Sequence, residues 1–371
     1  MISHLLWRLA FVASLSLAML LGPAGMAQAQ MVVATVAVGT TPQGVAVNPT
    51  TNRVYVANSG SNDVTVIDGT NNAVIATVGV GTNPQGMAVN AATNRVYVAN
   101  LGSNNVSVID GATNAVVATV GVGDRPINVA VNPTTNRVYV ANGAGNSVSV
   151  IDGSSNAVVS TISFAGGPLG LAVNSDTNRL YVVTTGAGGV LSVIDGATNA
   201  VITTLPSGSH SSGVAVNETT NRFYVTNTMI GNVTVFDGVF NAVVQIITLG
   251  TPPIGTSGVA VNPTLNHIYV ASFSPGTNNL FVIDGATNAV VATIAGIGGS
   301  VPVAVNPTTS RSYVPDPQKN VISVLQDAAV PAQLAGTGGV TPPLLQISLA
   351  GAFLLISGLA IKGLAGHFAR P

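Results

Sequence analysis

The chain has 371 residues, of which 47% are hydrophobic and only 6% are charged, and it contains no cysteine. Between residues 30 and 337, eight basic residues oppose twelve acidic ones, and the basic residues form no stripe. The composition therefore excludes a disulfide-dependent fold and argues against a nucleic-acid partner, since phosphate contacts require clustered Lys and Arg.

The first 29 residues have the pattern of an export signal. A basic segment at residues 1–8 precedes an apolar stretch at 9–21 that is too short to span a membrane. Ala27-Gln28-Ala29 then matches the small-x-small pattern of a cleavage site. We expect a signal peptide over residues 1–29 and an exported mature protein that begins at Gln30.

A unit of about 42 residues then recurs seven times, up to residue 327. Each unit has one tyrosine, and these are all the tyrosines of the chain: Tyr55, Tyr97, Tyr139, Tyr181, Tyr224, Tyr269 and Tyr313. One asparagine per unit keeps the same period: Asn48, Asn90, Asn132, Asn174, Asn217, Asn262 and Asn306. A fixed period of this length indicates an array of one supersecondary unit.

Short β-branched runs within each unit, separated by Gly, Asn, Pro and Asp, predict four strands joined by tight turns. In the first unit we place them at residues 44–48, 53–58, 63–68 and 73–80. Because these strands are apolar on both faces, each sheet must be covered on both sides, as in sheets packed around an axis. The sequence therefore predicts an all-β fold, a seven-bladed β-propeller over residues 30–327.

The two ends of the repeat region predict how the ring closes. The seventh unit stops after its third strand, at residues 321–326, and lacks a fourth. Residues 31–39 closely match residues 115–123, which form the fourth strand of the second unit. We expect this N-terminal strand to complete the last blade and to remove the open sheet edges.

The repeats resemble those of the YVTN family of β-propellers. Its name-giving tetrapeptide is present as Tyr224-Val225-Thr226-Asn227, with Tyr-Val-Ala-Asn at Tyr55, Tyr97 and Tyr139. The resemblance covers residues 31–327 and implies the propeller fold and a place among exported and surface proteins. It implies little about function, because the family's repeats are scaffold.

The C-terminal region has the pattern of a surface anchor. A Pro/Gly-rich linker at residues 328–343 precedes an uncharged stretch at 344–361 and a basic tail at 362–371. The stretch is just long enough to cross a membrane, and the tail places its far side in the cytoplasm. The linker also contains Leu334-Ala335-Gly336-Thr337-Gly338, which resembles a sortase recognition motif and implies a sortase-type transpeptidase as a partner. Wall attachment and plain membrane anchoring both remain open.

Most charge in the repeats is predicted to belong to the scaffold. If Asn58 faces Asp63 across the middle hairpin, Arg53 faces Asp68, and this Arg–Asp pairing repeats in most units. Calcium binding at the repeated Asp-Gly turns is disfavoured, because each turn offers one carboxylate. The innermost strands offer no carboxylate or imidazole, so we expect no metal and no cofactor.

Loops on one face differ from unit to unit, and we expect any function to lie there. Their unusual side chains are Asp63 and the candidate ligand-binding residues Asp124, Arg125, His210, Met229, Phe273, Asp316 and Lys319. None of them forms a recognisable catalytic triad. We therefore expect a non-catalytic binding or structural module of the cell envelope, with a protein or glycan ligand. The alternative is an extracellular hydrolase or lyase that uses His210, Asp124 and Arg125.

Overall fold

The computed structural model describes residues 31–185, 188–208, 210–250, 255–273, 278–297 and 301–327. In these ranges 28 β-strands form seven four-stranded antiparallel sheets, and no helix occurs in them. The predicted seven-bladed β-propeller is therefore confirmed.

Strand bounds follow the sequence period, and each blade runs from an innermost to an outermost strand. In chain order the strands are β1 (Met31–Ala37); β2 (Pro42–Asn48), β3 (Arg53–Asn58), β4 (Asp63–Asp68) and β5 (Ala73–Gly79) of blade 1; β6 (Pro84–Asn90), β7 (Arg95–Asn100), β8 (Asn105–Asp110) and β9 (Ala115–Gly121) of blade 2; β10 (Pro126–Asn132), β11 (Arg137–Asn142), β12 (Ser147–Asp152) and β13 (Ala157–Ser163) of blade 3; β14 (Pro168–Asn174), β15 (Arg179–Thr184), β16 (Val190–Asp195) and β17 (Val201–Pro206) of blade 4; β18 (Ser211–Asn217), β19 (Arg222–Asn227), β20 (Asn232–Asp237) and β21 (Ala242–Thr248) of blade 5; β22 (Gly255–Asn262), β23 (His267–Phe273), β24 (Asn279–Asp284) and β25 (Ala289–Ala295) of blade 6; and β26 (Ala304–Asn306), β27 (Arg311–Asp316) and β28 (Val321–Gln326) of blade 7.

The ring closes as the sequence predicts. Strand β1 pairs antiparallel with β28, from Met31 opposite Gln326 to Ala37 opposite Val321, and so becomes the outermost strand of blade 7. The first residues of the described chain thereby complete its last blade. This pairing covers the edge that β28 would otherwise expose.

The hydrophobic core lies between neighbouring blades. Each of seven apolar clusters combines side chains from two adjacent blades; one of them joins Tyr55 and Val66 of blade 1 to Val96 and Ile109 of blade 2. All seven tyrosines are buried, with at most 1% of their surface exposed. Burial on both sheet faces explains why the strands are apolar on both faces.

Two repeated turns shape one face of the disc, which we call the constant face. After the innermost strand, the Asn48 side chain accepts hydrogen bonds from the amides of Thr50 and Thr51, and Asn52 adopts a left-handed φ of 51°. Before the outermost strand, Asp68 accepts from the Thr70 amide, and Asn72 has a φ of 61°. Asn and Asp suit these positions because their side chains cap turn amides and Asn tolerates positive φ.

Asparagine side chains on the constant face also join one blade to the next. The last residue of an innermost strand donates its Nδ2 to the Oδ1 of the left-handed Asn in the following blade. The bonds, 2.8–3.0 Å long, join Asn48 to Asn94, Asn90 to Asn136, Asn132 to Asn178, Asn174 to Asn221, Asn217 to Asn266 and Asn306 to Asn52. The donor asparagines are fully buried, so this asparagine ladder is part of the scaffold.

The predicted strand register is confirmed, but the predicted Arg–Asp pairing is only partly right. Arg53 does lie opposite Asp68, and the corresponding positions pair in the other blades. Ion pairs occur between Arg95 and Asp110 and between Arg137 and Asp152. The arginines at the same position in four other blades bond to the next blade instead. Each donates to the backbone carbonyl of the glycine that follows the repeated aspartate in that blade: Arg53 to Gly111, Arg179 to Gly238, Arg222 to Gly285 and Arg311 to Gly69.

The terminal segments fall outside the described residues. These are the expected signal peptide at 1–29, the linker at 328–343 with its Leu334–Gly338 motif, the expected membrane span at 344–361 and the tail at 362–371. No apolar helix of membrane-spanning length occurs in the described part of the chain.

Candidate functional site

The loops opposite the constant face form the variable face. They enter each blade from the preceding outermost strand, as residues 80–83 do, or join the two middle strands, as residues 59–62 do. Backbone bonds tie the two loop types together, such as the bond from the Gly60 amide to the Thr40 carbonyl at 2.9 Å. These loops surround the end of the central channel at which every innermost strand begins.

The structure places Asp124, Arg125 and His210 on exposed loops of the variable face. Arg125 and His210 both adopt left-handed φ values, 52° and 54°, and occupy the same loop position in different blades. The Arg125 amide donates to Asn104 Oδ1 at 2.9 Å, and the His210 carbonyl accepts from the Thr228 amide at 3.1 Å. Their backbones are therefore held in place while their side chains face outward.

Asp316 and Lys319 form an ion pair with each other. Lys319 Nζ lies 2.8 Å from Asp316 Oδ2, and Asp316 Oδ1 accepts from the amides of Gln318 and Lys319, each at 3.1 Å. Asp316 is 6% exposed, so this carboxylate stabilises its own turn. This geometry gives Asp316 a structural role.

The other two candidates and Asp63 occupy separate loops. Met229 is 63% exposed between β19 and β20. Phe273 ends β23, and its half-buried ring occupies the space that a Cβ on Gly255 would take. Asp63 accepts a 2.6 Å bond from Asn58 Nδ2 at the start of β4. None of these contacts joins candidates from different blades.

A cavity of about 250 Å³ lies at the variable-face mouth of the central channel. Its walls come from the first residues of the innermost strands in five blades and from Val301 and Pro302, which precede β26 in blade 7. Its polar side chains are Gln43, Gln85, Asn128, Ser212 and Ser257. Ile127 and Val301 supply apolar wall. The sequence analysis did not select these residues, because it chose the charged, aromatic and methionine side chains of the variable loops. A usable signal was present: the position before the repeated glycine changes from blade to blade while its neighbours repeat.

The repeated glycines that follow these mouth residues allow the backbones of neighbouring innermost strands to pack against each other. A Cβ on Gly86 would lie 2.6 Å from the Ile127 carbonyl oxygen, and one on Gly170 would lie 2.7 Å from that of Ser212. A side chain at either glycine would therefore force the two neighbouring innermost strands to move apart. Blade 3 has Asn128 here instead, and its Nδ2 donates to the Leu169 carbonyl at 3.2 Å.

Hydroxyl groups line the sector of the mouth between blades 5 and 6. Ser212 Oγ lies 3.2 Å from Thr226 Oγ1, which donates to the Ser257 carbonyl at 3.0 Å, and Thr228 Oγ1 donates to the Thr256 carbonyl at 2.8 Å. Most other blades have alanine at the position of Thr226, for example Ala57 and Ala99. This hydroxyl network makes one side of the ring more polar than the rest.

A second cavity of about 270 Å³ adjoins the mouth between blades 3 and 4. It is lined by Leu101, Arg125, Ile127, Gly143, Ala144 and Leu169, and Ile127 also lines the first cavity. Arg125 is the one charged residue among the described residues that line either cavity. The mouth therefore offers amides, hydroxyls and aliphatic surface, with a single guanidinium at its margin.

Shifted pKa values belong to the scaffold. The Thr113 amide and the Arg95 guanidinium lower the pKa of Asp110 to about 2, and burial raises the pKa of Tyr55 and its equivalent in most other blades. In the described ranges, no three His, Asp or Glu side chains are grouped so that they could hold a metal ion. The geometry of the mouth suits hydrogen bonding to a neutral polar ligand.

Comparisons with known proteins agree with this architecture. The YNCE-like beta-propeller family model matches residues 25–222, more than half of the chain. No curated protein matches. Among solved structures, the Kuenenia stuttgartiensis hydrazine synthase is similar at a TM-score of 0.71 and 19% identity, over 78% of this chain and 96% of that one. The Myceliophteria thermophila Cps50 (Swd1) beta-propeller domain is similar at 0.70 and 12% identity, over 81% and 100%. At these identities the likeness concerns the fold.

Proposed function

Since the chain belongs to the YNCE-like β-propeller family, we propose that it is an exported, surface-anchored binding module whose ligand docks at the channel mouth of the variable face. The observation that carries this proposal is the ring of uncharged, blade-specific side chains around a 250 Å³ cavity. A binding site is expected where a rigid scaffold presents side chains that differ from copy to copy.

The chemistry of the ring favours a neutral ligand. Gln43, Gln85 and Ser257 offer donors and acceptors without a net charge, and Ile127 and Val301 offer aliphatic contact. Gln85 is already oriented, because its Nε2 donates to Asn83 Oδ1 at 2.6 Å. Glycan hydroxyls, or the amides of an extended protein segment, have the matching hydrogen-bonding groups.

A non-catalytic role is part of the proposal. Catalysis would need an acid, a base or a nucleophile positioned beside the cavity. Arg125 is the charged residue at its margin, and the two hydroxyls among the residues that line the cavity, those of Ser212 and Ser257, already donate to backbone carbonyls.

A binding screen tests this assignment. The exported chain is presented to glycan and peptide arrays together with two variants, one carrying Gln43→Ala and Gln85→Ala and the other Gln318→Ala. Gln318 is an exposed glutamine on the same face, outside the mouth, and is the matched control. We expect the double variant to lose at least about tenfold in affinity, as the loss of two hydrogen bonds predicts, and the control to bind normally. Equal binding by all three chains would refute the site.

The anchor is proposed to be the uncharged stretch at residues 344–361, preceded by the Leu334–Gly338 motif. If a sortase cuts after Thr337, the mature protein ends there and stays with the cell wall after detergent extraction. If it does not, the stretch keeps the chain in the membrane fraction. Mass spectrometry of the C-terminal peptide, compared with a Thr337→Ala variant, distinguishes the two. Recovery of the mature protein in the culture medium alone would refute surface anchoring.

A further inference from the structure

Blade 5 carries a larger exposed apolar corner than the other blades. It consists of Val239 and Phe240 in the turn before the outermost strand and Val243, Val244 and Ile246 on strand β21. Phe240 is 80% exposed and Val239 63%, and the strand residues are 45–56% exposed. We call this surface the blade 5 corner.

The repeat supplies an internal comparison for this corner. Blades 1, 2, 3, 4 and 6 have small or polar residues in place of Val239 and Phe240: Thr70 and Asn71, Ala112 and Thr113, Ser154 and Ser155, Ala197 and Thr198, and Ala286 and Thr287. Ile246 corresponds to threonine in the other six outermost strands: Thr35, Thr77, Thr119, Thr161, Thr204 and Thr293. Three apolar replacements at one corner, all exposed, indicate a surface that something covers.

The hydrogen bonds within this turn lower the free-energy cost of moving its tip from water into an apolar phase. Asp237 accepts hydrogen bonds from the amides of Val239 and Phe240 at 2.8 and 2.9 Å, and the Gly238 amide donates to the Asn221 carbonyl at 2.8 Å. Three backbone donors of the turn are therefore already satisfied inside the protein. Buried backbone donors without partners would oppose entry into an apolar phase.

The constant face is also the face from which the chain leaves the propeller. Strand β28 runs from the variable to the constant face, and the Asp327 amide donates to the Ser310 carbonyl in a constant-face turn at 2.8 Å. The Gly238 amide makes the equivalent bond in blade 5, so the corner lies on the same face. From residue 328 the chain continues for 44 residues, which include the uncharged stretch at 344–361.

We propose that the constant face turns toward the membrane and that the blade 5 corner inserts Phe240 and Val239 into its outer leaflet. This proposal rests on the proposed membrane anchor at residues 344–361. The 16-residue linker between propeller and anchor spans roughly 55 Å at most, so the lipid surface is within reach of the corner. A tethered contact can be weak and still be populated, because the tether sets a high effective concentration.

A second copy of the chain is a poorer occupant than lipid. The exposed area of the five side chains is roughly 500 Å², below the 800 Å² or so that each partner buries in a standard interface. A single aromatic turn tip beside aliphatic side chains is enough for interfacial contact with lipid. The orientation would also leave the channel mouth facing away from the cell.

The absence of cysteine allows a clean test with single-cysteine probes. The full chain carrying Val239→Cys is labelled with an environment-sensitive fluorophore and reconstituted in phosphatidylcholine vesicles. Ala112→Cys, at the same turn position in blade 2, is the matched control. We expect spin-labelled lipid to quench the probe at 239 at least twofold more than the probe at 112. Adding Phe240→Ser, the residue that blade 3 has at Ser155, should remove most of that difference.

The outcomes separate the docking proposal from the anchoring proposal. A chain that does not float with the vesicles would refute the anchor at 344–361. A chain that floats but shows equal quenching at both positions would overturn the docking alone. A probe at 239 that is shielded in detergent and insensitive to lipid quencher would place a second copy on the corner and would also overturn the proposal.

Discussion

The two faces of the disc use the same repeat in opposite ways. On the constant face, the Asn48–Asn94 bond and its equivalents recur with nearly the same length around the ring, and Asp68 and its equivalents cap the same turn. On the variable face, the corresponding loops differ in length and chemistry. Where a contact repeats in blade after blade, it serves the scaffold. Where the copies differ, we expect the side chains to serve ligand binding.

One junction on the constant face departs from this uniformity. Between blades 6 and 7, Ser310 replaces the accepting asparagine, and Asn262 Nδ2 has no hydrogen-bond partner. The same junction has His267 in place of the arginine and Asp327 in place of the turn glycine, and the two side chains lie 3.1 Å apart, both buried. Tyr269 also donates its hydroxyl to Asp327. At this junction, contacts to the buried carboxylate of Asp327 replace the asparagine bond and the arginine contact of the other junctions.

The largest expected effect comes from opening the ring. Deleting residues 31–39 removes β1, exposes the edge of β28 and takes Val36 out of the apolar cluster that it shares with Ile322 and Val324. We expect aggregation, or a melting temperature more than about 10 °C lower, by circular dichroism. A chain that starts at residue 31 is the control. Equal melting of the two chains would show that β1 does not close the ring.

The buried carboxylate at the junction between blades 6 and 7 should carry the largest single-residue effect. Asp327→Ala leaves His267 and the Tyr269 hydroxyl buried without this partner, which should cost about 3–5 kcal/mol in the free energy of unfolding. Asp124→Ala, an exposed aspartate of the variable face, should change it by less than about 0.5 kcal/mol. Chemical denaturation measures both, and similar losses would contradict the contrast between the faces.

The asparagine ladder should come next. Asn132→Ala removes the bond to Asn178 and the acceptor for two turn amides in a fully buried position, at a cost of about 2–3 kcal/mol. Asn262→Ala should cost less, because its Nδ2 makes no bond to the next blade. If both substitutions destabilise the protein equally, the ladder bonds contribute nothing measurable.

Repairing the ladder should require two substitutions. Ser310 has a φ of 51°, a conformation that asparagine tolerates, but a Cβ at the turn-glycine position would lie only 2.4 Å from the asparagine Oδ1 in blade 1, and Asp327 occupies that position in blade 7. Ser310→Asn alone should therefore crowd Asp327 and destabilise the protein by about 1–3 kcal/mol in the free energy of unfolding. Combined with Asp327→Gly it should cost less than the sum of the two single substitutions, because the glycine makes room for the asparagine. Chemical denaturation measures all three variants, and simply additive losses would show that Asn and Gly are not matched at this turn.

The smallest expected effect is acid lability of the constant-face turns. The pKa of Asp110 is lowered to about 2 by the Thr113 amide and Arg95, and backbone amides lower the pKa of Asp68 and Asp195. A lowered native pKa stabilises the fold above about pH 4, and this stabilisation is lost as the pH falls toward 2. Melting temperatures should decline over that interval, and less steeply in Asp110→Asn. An identical decline in the variant would show that Asp110 does not contribute to the acid lability.

Much of the fold could be predicted from the sequence because the repeat states it seven times. The period gave the blade number, the missing fourth strand gave the closure by β1, and hairpin register gave Arg53 opposite Asp68. The arginine contacts to the next blade could not be predicted, because Gly111 is brought to Arg53 only by packing between blades. The bond from Asn48 to Asn94 depends on the same packing.

The candidate site was harder to predict. Rare charged residues drew attention to Asp316 and Lys319, which bind each other, whereas the channel mouth is made of common uncharged residues such as Gln43 and Ser257. These residues lie more than 200 positions apart in the chain, and only the ring brings them to one cavity. Such a site is marked only when the repeats are compared with one another, at the position before the repeated glycine.

Hydrogen–deuterium exchange with a bound ligand would test most directly whether function lies on the variable face. With a ligand from the array screen, the amides at the start of β2, β6 and β10, next to Gln43, Gln85 and Asn128, should become protected. The constant-face turns at 49–52 and 69–72 should exchange as in the free protein. Protection confined to the constant face, with none at the channel mouth, would contradict this account.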